Sequence, residues 1–236
     1  MVNTLNFRCH HFRIFIVFKY LKSYNQAIYI MTTDLSTHPL VQHYLTILRD
    51  RSTKASEFRR CCKGITEVIM VEAAKLLSLD AIQVQTPLEI TDGSKLSPGV
   101  VFVPILRAGL GMLDPAMGII PGSSVGYIGM ERDEATAEAK CYYAKMPDLS
   151  ASTQVFVLDP MLATGGSAAQ CVEQIKAKGA KKVNMVCIIA APEGIAAFEE
   201  AHPDVTIVAG KIDRELNDQK YILPGLGDFG DRLFNT

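Results

Sequence analysis

The chain has 236 residues, 48% of them hydrophobic and 21% charged, enough to bury one substantial core in an ordinary globular fold. Its formal net charge is -1, which removes any global electrostatic pull toward nucleic acid or an anionic membrane. The six cysteines (Cys9, Cys61, Cys62, Cys141, Cys171 and Cys187) make no C-x-x-C pair and no His/Cys cluster, so zinc spacings are excluded and reduced intracellular thiols are expected.

The leader, residues 1–30, stands apart. Arg8, Arg13, Lys19 and Lys22 are basic, and no acid appears before Asp34. The apolar stretch Ile14–Phe18 is too short to span a bilayer and lacks a small-residue cleavage site. Such a segment is either an organellar transit peptide or an upstream extension before a start at Met31. The second account is preferred. It leaves residues 1–30 as an unstructured leader, 31–236 as a single domain and the cytoplasm as the compartment.

Next come two helices. His38–Asp50 places Val41, Tyr44, Leu45 and Leu48 on one face, and Ser56–Leu77 does the same with Phe58, Cys62, Ile65, Ile69 and Ala73. Ser56 is the expected N-cap of the second. Asp80–Pro98 is turn-rich and weakly patterned, an extended excursion. Apolar runs of strand length follow at Val100–Ile105, Thr153–Asp159, Val183–Ala190 and Val205–Gly210. Helical patterns separate them: one from Leu113, one striped by Ala168, Cys171, Val172 and Ile175, and a short one from Pro192. Buried strands alternating with helices predict an α/β fold, a mostly parallel sheet flanked by helices. Gly126–Met146, with two β-like ends and a charged middle, reads as a protruding hairpin arm or flap.

The chemistry concentrates in VFVLDPMLATGGS, Val155–Ser167. A strand ends at Asp159 and a short loop opens a helix at Thr164, Gly165, Gly166 and Ser167. Unpaired N–H groups and the positive end of a helix dipole suit a phosphate there. Hydroxyls add donors, and glycines admit the anion closely. An ordinary strand–turn–helix capped by Ser167 is the plainer alternative. The loop lacks the lysine of a Walker loop. At the other end, Gly225, Gly227 and Gly230 spell G-x-G-x-x-G, but only six residues follow Gly230, too few for a dinucleotide-binding crossover.

The loop D-P-M-L-A-T-G-G-S resembles the 5-phosphoribosyl diphosphate (PRPP) loop of type I phosphoribosyltransferases, in the uracil phosphoribosyltransferase version. Val103–Met112, Gly129–Glu134, Ala190–Ile195, Ala201–Val205 and Tyr221–Asp231 resemble further blocks of that family, in its order. The resemblance implies an open, mostly parallel sheet with a protruding hairpin. It also implies a pentosyltransferase of pyrimidine salvage: uracil + PRPP → UMP + diphosphate.

By resemblance, Thr164, Gly165, Gly166 and Ser167 cradle the 5-phosphate, with Pro160, Met161, Leu162 and Ala163 completing the PRPP loop. Asp159 accepts hydrogen bonds from the ribose diol and faces the cationic transition state. Arg107 and Arg132 match the arginines that hold the diphosphate; the arginine fork stays protonated. The terminal glycines become a uracil loop in which Ile222, Gly227, Asp228 and Phe229 read the base. Asp228 also reaches the ribose side, and Phe229 either stacks near the base or plugs the core.

Magnesium is expected with the PRPP diphosphate, without assigned protein ligands. GTP activation and a homodimer or homotetramer occur in some members and are carried over only as expectations. No general base stands out: His10 and His11 lie in the leader, and His38, His43 and His202 read as structural. Two alternatives are weighed: a nucleotide-binding, RNA-binding regulator on the same fold, and a transferase for another base. The first would need a basic face, and the local candidate, Lys176–Lys182, is better explained as a cationic helix end.

Overall fold

The computed structural model describes residues 32–132 and 139–236. The leader and the tip of the predicted flap, 133–138, lie outside the described residues. The chain opens with β1 (Thr32–Asp34), α1 (Pro39–Arg49), α2 (Ala55–Ala73) and the hairpin β2 (Leu79–Gln85) and β3 (Ile90–Leu96). It continues through β4 (Val100–Leu106), α3 (Leu110–Ile119), β5 (Ser124–Val125), β6 (Tyr127–Arg132) and β7 (Ala139–Lys145). Then follow β8 (Gln154–Leu158), β9 (Met161–Leu162), α4 (Gly166–Ala177), β10 (Lys182–Ala190), α5 (Pro192–Ala201) and β11 (Thr206–Ile212). The end comprises β12 (Glu215–Leu216), β13 (Ile222–Leu223) and α6 (Phe229–Phe234).

The main sheet runs β1-β11-β10-β8-β4-β6-β7, and every pair along it is parallel except β6 with β7. The continuous apolar runs are explained by burial on both faces. Phe102, Phe156, Leu158, Val186, Ile188 and Val208 pack in the layer that holds the buried faces of α1, α2, α3 and α6. Their alternates Val101, Val103, Val155, Val157, Met185 and Ile207 pack with the buried residues of α4 and α5. The period-2 alternation of strand side chains thus feeds two cores at once.

Four local readings change. Ser56 does not cap α2; Lys54 occupies that position without a side-chain bond, and Glu57 supplies the favourable first-turn charge instead. The excursion is a regular antiparallel hairpin, paired from Leu79↔Leu96 to Gln85↔Ile90. Helix α3 starts at Leu110, before the expected Leu113, and runs through Pro115. Proline has no N–H to offer the Gly111 carbonyl four residues back, and the Cys62 thiol donates to that oxygen instead at 3.4 Å. Finally, β1 pairs in parallel with β11 at the sheet edge, an element too short for periodicity to reveal.

Candidate active site

Strands β4 and β8 lie side by side in parallel with Pro104 opposite Leu158, so the residues after each strand emerge at one edge of the sheet. Arg107 follows β4 across a cis Leu106–Arg107 peptide, and its turn is closed by the Gly109 N–H donating to Ile105 O at 2.9 Å. Asp159 follows β8. Ligand groups in open α/β sheets gather at this carboxyl edge.

The loop after Asp159 is fixed by main-chain bonds. The Pro160 carbonyl accepts from the N–H groups of Ile188 (3.1 Å) and Ile189 (3.0 Å), a place where a residue without its own N–H is harmless. Met161 and Leu162 then pair with Ile189 and Ala190 as β9. Gly165 adopts φ 80, in the left-handed region that favours glycine, and caps α4. Behind it stands α5: a Cβ on Gly194 would come 2.1 Å from the Ala163 carbonyl oxygen. Two backbones touch here with no room for side chains.

The first-turn N–H groups of α4 have no intrahelical acceptor. They adjoin a cavity of about 220 Å³ lined by Asp159, Met161 to Gly165, Ser167, Ala168 and, from the turn between β12 and β13, Lys220. A larger cavity of about 630 Å³ lies between α1 and the end of β11, lined among others by Arg49, Asp213 and Pro224. Its lining does not include the Asp159–Ser167 loop, which lines the smaller one.

Asp159 is half-buried, and burial pushes its carboxyl pKa up to about 7; the Met161 N–H, 3.5 Å from Oδ1, offsets this only in part. A carboxyl that titrates near neutrality at a strand end marks a group prepared for a ligand.

The glycine hook begins at β13 with a cis Leu223–Pro224 peptide, and Gly225 and Gly227 follow at φ 61 and 80. Asp213, buried, accepts from the Gly225 N–H at 3.1 Å and pairs with Arg49 at 2.5 Å. Arg232 donates to the carbonyls of Leu48, Leu226 and Asp50 and stacks 4.5 Å over the Phe58 ring. Asp228 caps α6 by accepting from the Asp231 N–H at 2.9 Å. The Phe229 ring meets Phe58 edge-on at 5.0 Å within the core, the packing expected of an apolar plug. Ile222 is buried likewise.

Hook and strand edges meet at Arg107, whose Nη2 lies 3.3 Å from Asp231 Oδ1. Arg132 ends β6, and its side chain lies outside the described residues. His202, expected to be structural, is 2.8 Å through Nε2 from the Ala169 carbonyl. Sequence reasoning missed Asp213, Arg49, Arg232 and Lys220. Asp213 carried a signal: an acid just beyond a buried apolar run, as at Asp159. The other three make their contacts through long-range packing and carried none.

The open, mostly parallel sheet with its flanking helices and β6–β7 hairpin is the type I phosphoribosyltransferase fold. Comparison narrows it. The family model described as "Uracil phosphoribosyltransferase" matches residues 35–236. The chain is 48% identical over 200 residues to a uracil phosphoribosyltransferase of Ligilactobacillus salivarius, covering 84% of this chain and 96% of that one. It is 49% identical over 207 residues to the Thermosipho africanus protein of that name, covering 87% and 100%. A solved structure, the AQ2163 protein of Aquifex aeolicus, superposes with TM-score 0.81 at 40% identity, over 86% of this chain and 98% of that one. The chain belongs to the uracil phosphoribosyltransferase family and is an enzyme of the pentosyltransferase class. Neither the regulator nor a transferase for another base is favoured by these matches.

Proposed function

We propose that the chain joins uracil to the phosphoribosyl group of PRPP, giving UMP and diphosphate, with the residues of the Asp159 cavity, Arg107 and the glycine hook as its machinery. One observation carries this reading: the phosphate loop, the strand-end arginine and the hook, distant in sequence, converge on one sheet edge.

In this reading the N–H groups and hydroxyls of Thr164 to Ser167 hold the 5-phosphate. Asp159 accepts from the ribose hydroxyls, and its negative charge grows more useful as C1 becomes cationic. Arg107, with Arg132 from the flap, neutralises the departing diphosphate. The backbone at Ile222, Gly227, Asp228 and Phe229 reads the alternating carbonyls and N–H groups of the pyrimidine edge. A backbone-lined pocket rejects cytosine by leaving polar groups unpaired.

Magnesium accompanies the diphosphate. Among the described residues no three His, Cys, Asp or Glu side chains converge, and no step is routed through the ion. It would ride on substrate oxygens and water. GTP activation, a homodimer or homotetramer, a working unit of 31–236 and a cytoplasmic setting complete the proposal. The apolar Leu88 and Ile90 exposed on the β2–β3 hairpin support assembly, and the unpaired described cysteines support a reducing compartment.

The test is incubation of labelled uracil with magnesium PRPP, run beside hypoxanthine, orotate and cytosine. UMP formation from uracil alone is expected. Absence of product, or faster turnover of another base, overturns the reading.

A further inference from the structure

Among the described residues, Lys220 (φ 66) and Asn235 (φ 62) are the non-glycine residues with a left-handed backbone. Asn235 ends α6, a position where asparagine is at home. Lysine has no such affinity, and a left-handed lysine signals a side chain held where it is for a reason.

The turn that holds it is over-determined. The Lys220 N–H donates to Asn217 O at 2.9 Å, and the Asn217 N–H donates to Tyr221 O at 2.8 Å. The Asn217 side-chain oxygen accepts from the N–H groups of Gln219 (3.0 Å) and Tyr221 (2.8 Å). One residue before this turn, the Leu216 N–H donates to Glu193 Oε1 at 3.0 Å, tying it to α5, the helix that backs the phosphate loop. The backbone at Lys220 is thereby fixed in relation to the cradle, and the residue lines the cavity with Asp159, Thr164, Gly165 and Ser167.

The charges in that cavity are unbalanced without it. Asp159 is the acid among the lining residues and Lys220 the base. A phosphate entering beside a carboxylate would otherwise meet only main-chain dipoles and hydroxyls. Lys220 forms no ion pair within 4.0 Å among the described residues. A compact ammonium on a flexible stem suits a phosphate approached from one side.

We propose that Lys220 contacts the 5-phosphate of the phosphoribosyl group, supplying from the hook side the one cationic group of the cradle. This rests on the function proposed above, which makes that phosphate the cavity's occupant.

The test uses the full chain and ribose 5-phosphate, a probe with the phosphate but neither base nor diphosphate. Lys220→Gly is the informative variant, because glycine takes a left-handed backbone without strain and the turn is preserved. Calorimetry is expected to show ribose 5-phosphate binding weakened roughly tenfold, the usual worth of one charge-assisted contact, with a shallower salt dependence. The KM for PRPP rises with it, and by more than the KM for uracil; Lys220→Arg restores most of the affinity.

Affinity within twofold of wild type in Lys220→Gly, or no ribose 5-phosphate binding by the wild type, overturns the proposal. A wild type that makes UMP while the glycine variant keeps its KM for PRPP refutes the contact alone. A wild type that binds ribose 5-phosphate through Lys220 yet makes no UMP refutes the function alone.

Discussion

The phosphate loop and the glycine hook reach the same sheet edge by opposite means. The loop is a short consecutive stretch held by main-chain bonds to β10 and by backbone contact with α5. The hook is held by side chains from distant segments: Asp213 beyond β11, Arg49 on α1, and Arg232 braced on Phe58 of α2. A main-chain cradle depends on shape and little on side-chain identity. A hook hung on buried ionic and hydrogen-bonded side chains fails when one of them is removed. Damage to the loop should therefore appear in PRPP use, and damage to the hook in uracil use and stability.

The largest effect is expected at the loop's one indispensable side chain. Asp159→Asn should cut kcat about 100-fold or more, the scale for a group aimed at transition-state charge. It should also raise Tm. Burial lifts the Asp159 pKa from 3.8 to about 7, so between these values the folded protein holds a proton that the unfolded chain releases. That contribution to stability is full below the unfolded pKa and lost as pH rises through about 7. Asparagine keeps the neutral shape at every pH, so at pH 8 the variant should melt a few degrees higher. In the wild type, kcat/KM for PRPP should climb with pH through about 7 as the carboxylate forms. A flat profile with a fully active Asp159→Asn would sink the assignment.

Arg107→Ala comes next, with turnover down roughly 10- to 100-fold by loss of one leaving-group contact. Its partner Asp231 is half-exposed, and exposed pairs contribute little, so thermal denaturation should show Tm nearly unchanged. A large drop in Tm would make Arg107 a structural clasp between hook and strand.

The same contrast governs what the sequence discloses. The sheet was legible because runs such as VVFVPI and VNMVCIIA are buried on both faces, and the loop because Asp159 and Gly165 are local signals at a strand–helix junction. Resemblance located the hook, yet among its anchors only Asp213 carried a signal in the sequence. Nothing in the vicinity of Arg49 or Phe58 announces a contact more than 160 residues away. Helix α3 starts at Leu110 and not at the expected Leu113, and it carries Pro115 inside it because a thiol from another helix serves the carbonyl the proline leaves unpaired. The expected Ser56 cap failed because helix α2 begins two residues earlier, at Ala55 after Lys54, and draws its stability from its buried face.

Asp213→Ala tests the hook. It removes the acceptor for the Gly225 N–H and leaves Arg49 without its partner in a largely buried setting. A loss of about 2–3 kcal/mol is expected from denaturant titration, with the KM for uracil raised about tenfold and that for PRPP nearly unmoved. Equal increases in both would show that the hook and the loop move as one body.

Gly194→Ala sets the finest limit on the comparison. Its Cβ would stand 2.1 Å from Ala163 O and 2.7 Å from Leu162 O, both rigid backbone atoms of the phosphate loop, so α5 or the loop must shift. Overpacking of this kind costs about 1–3 kcal/mol, and the KM for PRPP should rise three- to fivefold, with uracil affinity intact. Gly118→Ala in α3, whose Cβ meets nothing within 4 Å, controls for helix propensity and should stabilise by about 0.5–1 kcal/mol. If Gly194→Ala behaves like Gly118→Ala, the loop is softer than its hydrogen bonds suggest, and the cradle's shape is set by the ligand and not by the helix behind it.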